Sequence, residues 1–143
     1  MSVAAEILQD IVSALRSQGG LALVTLGAAP SATAVPRATV IYEGQDFFPA
    51  DDSDSGQQAR LRCRVTLHAR CDEPAQQLTR ALDLAAAASE AILADPFRGG
   101  RCCDLPIGRA TEVGRAEPTD SVKNPDIEVS SAVRCHFELG EQQ

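Results

Sequence analysis

The residues best equipped for chemistry in this chain are five cysteines, two histidines and a local run of arginines. Their spacing decides what each can do. Cys63 and Cys71 share a period-two phase with Leu61, Val65, Leu67 and Ala69, and Cys135 does the same among Ile127, Val129, Val133, Phe137 and Leu139. A thiol on the apolar phase of a strand packs as a small hydrophobic side chain. Cys102 and Cys103 are adjacent, which makes a poor clamp. No C-x-x-C spacing exists, and a structural zinc site needs four tetrahedral ligands. Neither a metal nor a cofactor is expected. His68 and His136 fall on the polar phase of the same two stretches, so solvated or interface imidazoles are expected. If the stretches pair, the two histidines stand as neighbours on one exposed face, but no nucleophile accompanies them at a defined spacing. Phosphate loops, dinucleotide fingerprints, nucleophile elbows and metal-binding helix motifs are missing. The expectation is that this is not an enzyme. An unfamiliar enzyme would be limited to His68, His136 and Cys102 or Cys103.

The arginines carry more information. Arg60, Arg62, Arg64 and Arg70 share the polar phase of residues 60–71. They stand in a chain of net charge −7, in which residues 1–59 hold two arginines against seven acids. A general nucleic-acid binder has a basic excess, so that class is disfavoured. The stripe has two uses. It pairs across a sheet with Asp126, Glu128 and Glu138 of the closing stretch, at roughly 0.2–1 kcal/mol per pair, or it meets another subunit or the lumen of a ring. A second feature lies just before it. Phe47 and Phe48, two of only four phenylalanines, stand beside Asp51, Asp52 and Asp54. Scarce aromatics in a polar hairpin suggest a contact, because aromatics are enriched in interface cores. The aspartates lack the pattern of a calcium-binding loop.

Both features need elements to position them. Val3, Ile7, Ile11 and Leu15 recur at helical spacing, with Ser2 as cap and Gly19 and Gly20 as stop. A short apolar run at 21–26 reads as a strand, as does the β-branched run at 38–43. The alternating stretch 60–71 is the clearest strand. Pro74 opens a second helix along Leu78, Ala81, Leu82, Ala85, Ala88 and Ile92, ending near Asp95 and Pro96. Residues 107–117 read as a strand interrupted by glycines, and residues 127–139 as a second half-buried strand. Together they predict an α+β fold: a mainly antiparallel sheet of about four or five strands with two helices packed on one face. One domain spans 1–143, with a hairpin loop at about 44–59 and another loop at about 95–106.

Composition bounds the rest. The chain has 143 residues, 23 of them alanine, with no tryptophan and one tyrosine. Alanine buries little area, so a thin core is expected, with stability leaning on neighbouring subunits. The acidic start lacks a signal peptide's basic region, no run spans a membrane, and an odd cysteine count points to a reducing compartment.

The whole-chain layout resembles the tail terminator (tail completion) proteins of long-tailed bacteriophages. The likeness is carried by the N-terminal helix AEILQDIVSALRS, the proline-entered strand VPRATVIYEG, the long hairpin, the strand RLRCRVTLHARC, the alanine-rich helix and the closing strand IEVSSAVRCHFEL. The loop around Cys102 and Cys103 has no counterpart in that pattern. The resemblance implies a homo-oligomer, a hexameric ring, that caps the tail tube, ends its polymerisation and joins the tail to the head connector. It also implies a location in the virion tail or neck after assembly in the host cytoplasm. Its partners would be the tail tube protein, the connector or neck protein and, in a contractile tail, the sheath protein. Membrane contact and specific nucleic-acid binding are not expected, although DNA passes through such a ring. The hairpin would contact the last ring of the tube, giving Phe47, Phe48 and the aspartates a role. The alternatives are another neck, head-completion or tail-tube-like ring protein, or a small dimeric α+β ligand-binding regulatory domain.

Overall fold

The computed structural model describes residues 2–27, 35–48, 58–70, 73–102, 111–114, 117–119 and 127–138. Helix α1 (Val3–Gln18) starts where the Ser2 hydroxyl accepts the Ala5 amide at 3.2 Å, and it stops at Gly19, whose φ of 79° suits glycine. Its stripe of Ile7, Leu8, Ile11, Val12 and Leu15 is buried. Strands β1 (Leu23–Leu26), β2 (Arg37–Phe48) and β3 (Gln58–Ala69) follow, then helix α2 (Pro74–Leu93). Short strands β4 (Thr111–Val113) and β5 (Glu117–Thr119) precede the closing β6 (Ile127–Glu138).

The sheet runs β1-β2-β3-β6-β4, and β5 pairs with β6 further along the edge that β4 occupies. Only β1 and β2 are parallel; β2, β3 and β6 form twelve-residue antiparallel partners. Helix α1 lies on β1 and β2, and α2 lies on β3, β6 and β4, with the helices touching each other. The face they cover is the apolar phase: Val40, Leu61, Cys63, Val65, Leu67, Val129, Val133, Cys135 and Phe137 are buried there. The α+β architecture with both helices on one side follows from those alternating strands.

Three details differ from the sequence expectation. The hairpin does not open at residue 44, because β2 continues to Phe48 and β3 resumes at Gln58. The ladder carries one extra residue between Tyr42 and Gly44, a bulge at Glu43. Gly44 has φ 135°, and a Cβ there would lie 2.7 Å from the Arg62 guanidinium. That glycine, which looks like a turn signal in sequence, admits the bulge and lets Arg62 lie flat against the strand. Of the expected strand over 107–117 the described residues form β4, and β5 follows on the same edge, with the Gly114 amide bonded to the Ala132 carbonyl at 2.6 Å; residues 107–110, 115 and 116 lie outside the described residues. The loop from 95 is a compact turn up to Cys102, which is buried; residues 103–110 lie outside the described residues.

Cys63, Cys102 and Cys135 are buried without a disulfide, while Cys71 and Cys103 lie outside the described residues. Burial, with Glu43 adding to it, pushes the Cys63 thiol up from 9.0 to about 12. The folded state therefore holds this proton more tightly than the unfolded chain. Its stabilising contribution is complete below about pH 9 and is lost as pH rises toward 12. Urea midpoints should fall more between neutral and strongly alkaline pH for the wild type than for Cys63→Ala; equal falls would place the linkage on other groups.

Candidate interaction surface

The outer face of the sheet carries the polar phase of β2, β3 and β6. Arg60, Arg62 and Arg64 all point there, but their acids come from β2 rather than from β6. Arg60 and Arg62 share Asp46, each with a 3.1 Å ion pair, and Arg64 reaches Glu43 at 3.1 Å. Exposed pairs of this kind contribute about 0.2–1 kcal/mol each. From sequence alone this strand ends at residue 43, which leaves Asp46 out, while the bulge at Glu43 breaks the alternation that would assign Glu43 a face. Of the acids expected on the closing strand, Glu128 faces His68 at 3.4 Å. Glu138 stands opposite Gln58, and Asp126 lies outside the described residues. Arg70 is exposed just beyond the end of β3.

The two phenylalanines part company. Phe48 is half-buried on the outer face, its ring centre 5.7 Å from the Arg60 guanidinium, a cation–π distance. Phe47 points to the opposite face and is 55% exposed. Near it, Tyr42 is 49% exposed and receives a hydrogen bond from the Gln45 amide at 3.2 Å. Leu26 and Ile41 are exposed close by in the ladder. Ile41, Tyr42 and Phe47 thus lie exposed on the free half of β2, residues 41–48, which pairs with β3 on one side only among the described residues, while Leu82 and Phe97 are exposed elsewhere. Asp51, Asp52 and Asp54 lie outside the described residues.

The histidines are a correction. Both are buried rather than solvated, His136 to 1% exposure. Both strands are interior to the sheet, so each imidazole stands between longer neighbours: His68 beside Arg37 at 3.3 Å and Glu128, His136 opposite Arg60. Alternation reports the face but not the depth. Nor are the two neighbours, for His68 registers with Glu128 and His136 with Arg60. Eight residues of ladder, roughly 27 Å, separate them. They cannot act as a pair. Among the described residues no group of three or more His, Cys, Asp or Glu converges to hold a metal ion. The groove along α2 is open and lined by Ala75, Gln76, Thr79, Arg80 and Asp83; the Thr79 hydroxyl in it donates to the Ala75 carbonyl at 3.0 Å.

No protein-family model matches the sequence, and no curated protein matches it. A match among solved structures does exist: a chain in the virion of a native gene transfer agent particle. It aligns over 96% of this chain and 96% of its own, with a TM-score of 0.55 and 19% identity. The two chains share a fold. The likeness runs over nearly the whole of both chains rather than over a fragment of either.

Proposed function

We propose that this chain is a structural virion subunit that assembles into a hexameric ring, caps a tail tube, ends its polymerisation and joins the tail to the head connector. The observation that carries the reading is the end-to-end fold likeness to a chain of a gene transfer agent virion. The surface supports it: Arg60, Arg62 and Arg64 are held by carboxylates of β2, and Tyr42 and Phe47 are exposed on the half of β2 that pairs on one side only among the described residues, an arrangement suited to contact rather than catalysis. Its work is mechanical, without a cofactor, and its place is the virion neck, with the sheath as a further neighbour in a contractile tail. Phe47 is assigned to the tube, because it is the most exposed aromatic and stands near the end of the β2–β3 pair.

The test is to add the purified chain to a polymerising tail-tube protein of the same virion. It should run as a ring-sized oligomer and shorten the tubes in proportion to its amount. Phe47→Ser should fold normally, since exposed substitutions usually stay within about 0.5 kcal/mol, yet lose capping. A Phe47→Ser protein that caps like the wild type removes the tube contact, and a chain that polymerises into tubes alone makes it a tube subunit instead.

A further inference from the structure

We infer that the outer sheet face around Arg62 and Arg134 is a docking site for the acidic segment 49–57 of a second copy of this chain. Arg60 and Arg62 draw on a single carboxylate, Asp46. Arg134 stands directly across from Arg62 in the β3–β6 ladder, with Glu112 as its register partner on β4. It is exposed and has no ion pair among the described residues. Like charges directly opposite each other destabilise a sheet, and this row occurs in a chain of net charge −7. Gly44 sits beside the row at φ 135°, and a Cβ there would lie 2.7 Å from the far end of the Arg62 side chain, which would have to shift. The Arg62 side chain remains 41% exposed even with Asp46 beside it. Such a row takes an anionic partner.

The chain supplies one. Residues 49–57 contain Asp51, Asp52 and Asp54 and no basic residue, and they connect the ends of the β2–β3 ladder at Phe48 and Gln58. A segment of the same copy would have to double back along its own strand to reach the row. Arg62 lies four residues back from Gln58, roughly 13 Å along the strand, behind the Phe48 ring stacked on Arg60. The segment of a neighbouring copy meets no such restriction. A nucleic acid is the less suited anion, because nucleic-acid binders carry a basic excess and this chain stands at −7. Each copy then gives one arm and receives one, a head-to-tail contact that closes into a ring when the rotation permits.

The full chain is compared with Arg62→Glu/Arg134→Glu, with Asp51→Lys/Asp52→Lys/Asp54→Lys, with the chain carrying all five changes, and with an equimolar mixture of the two partial variants. Circular dichroism checks folding, and sedimentation reads association. At about 0.15 M salt each partial variant should associate at least about tenfold more weakly than wild type. The five-change chain and the mixture should both recover most of that loss. Rescue in the five-change chain but not in the mixture would mean that the arm lies on its own sheet, and overturns the proposal. So does intact association with loss of binding to a short DNA duplex in Arg62→Glu/Arg134→Glu. The inference rests on the ring reading only in requiring that copies associate. A wild type that stays monomeric removes both, whereas association indifferent to either reversal removes this inference alone.

Discussion

Replacing Arg98 by alanine should cost about 3 kcal/mol, the scale for removing one partner of a buried, hydrogen-bonded charge pair. Arg98 is 3% exposed, and its guanidinium closes the end of α2. One nitrogen donates to the Ile92 carbonyl at 2.7 Å, another to the Asp95 carbonyl at 2.8 Å, and a third pairs with Asp10 of α1 at 3.1 Å. The last carbonyls of a helix have no intrahelical donors, and a cation there also meets the negative end of the helix dipole. Arg98 therefore does two jobs: it caps α2 and ties α2 to α1. The backbone tolerates φ 47° to put it there, held by Asp95, whose carboxylate accepts the Phe97 and Gly99 amides at 3.2 and 2.7 Å. Arg98→Lys should recover only part of the loss, because an ammonium cannot reach three acceptors in a planar fork. Asp10→Asn should cost less, since that carboxylate is partly in water. Urea unfolding of the three variants measures this, and a double-mutant cycle should couple residues 10 and 98 by about 0.5–3 kcal/mol. A loss under about 0.5 kcal/mol for Arg98→Ala, the range of ordinary surface changes, would mean that water caps α2 as well as Arg98 does.

Arg98 also shows where sequence reading runs out. Periodicity located α1, α2, β3 and β6, because each buries one face and the burial imposes 3.6- or two-residue spacing over twelve residues or more. It also placed both helices on one side, since β3 and β6 alternate with the same hand. Nothing periodic marks a capping arginine in a turn; its function depends on a left-handed backbone and on a carboxylate some 90 positions upstream. β2 was half legible for a related reason. A bulge shifts the phase by one residue, so Asp46, Phe47 and Phe48 stopped looking like strand just where they matter most. Arg60, Arg62 and Arg64 share one face of β3, as their alternation implies, whereas Arg70 lies past its end, and Asp46, the partner of two of them, lies on the half of β2 beyond the expected strand. Whether an imidazole on the polar phase is wet or buried depends on strand order, which alternation within one strand does not encode. The parallel pairing of β1 with β2 was equally out of reach, because four residues carry too little pattern to set a direction.

The same row of the sheet yields a contrast in stability. Phe47, Ala59 and Phe137 stand side by side across β2, β3 and β6, all on the helix-covered phase. Phe137 is 1% exposed and is the only aromatic in the buried core, while Phe47 is 55% exposed. Its register partner on β3 is Ala59 and its same-face neighbour along β6 is Cys135, both small and buried. Small neighbours have no reach with which to refill a vacated ring, so Phe137→Ala should cost about 3–5 kcal/mol. That is a large share of the roughly 5–15 kcal/mol that a domain has to lose. Phe137→Leu, which keeps most of the volume, should cost under about 1.5 kcal/mol. Phe47→Ala, two strands away in the same row, should change the urea midpoint almost not at all, within about 0.5 kcal/mol. Equal losses at the two positions would mean that Phe47 is buried in solution by another copy, and the midpoint would then depend on protein concentration. Phe137 is the largest fully buried side chain among the described residues, so its removal vacates more core volume than the loss of any other of them.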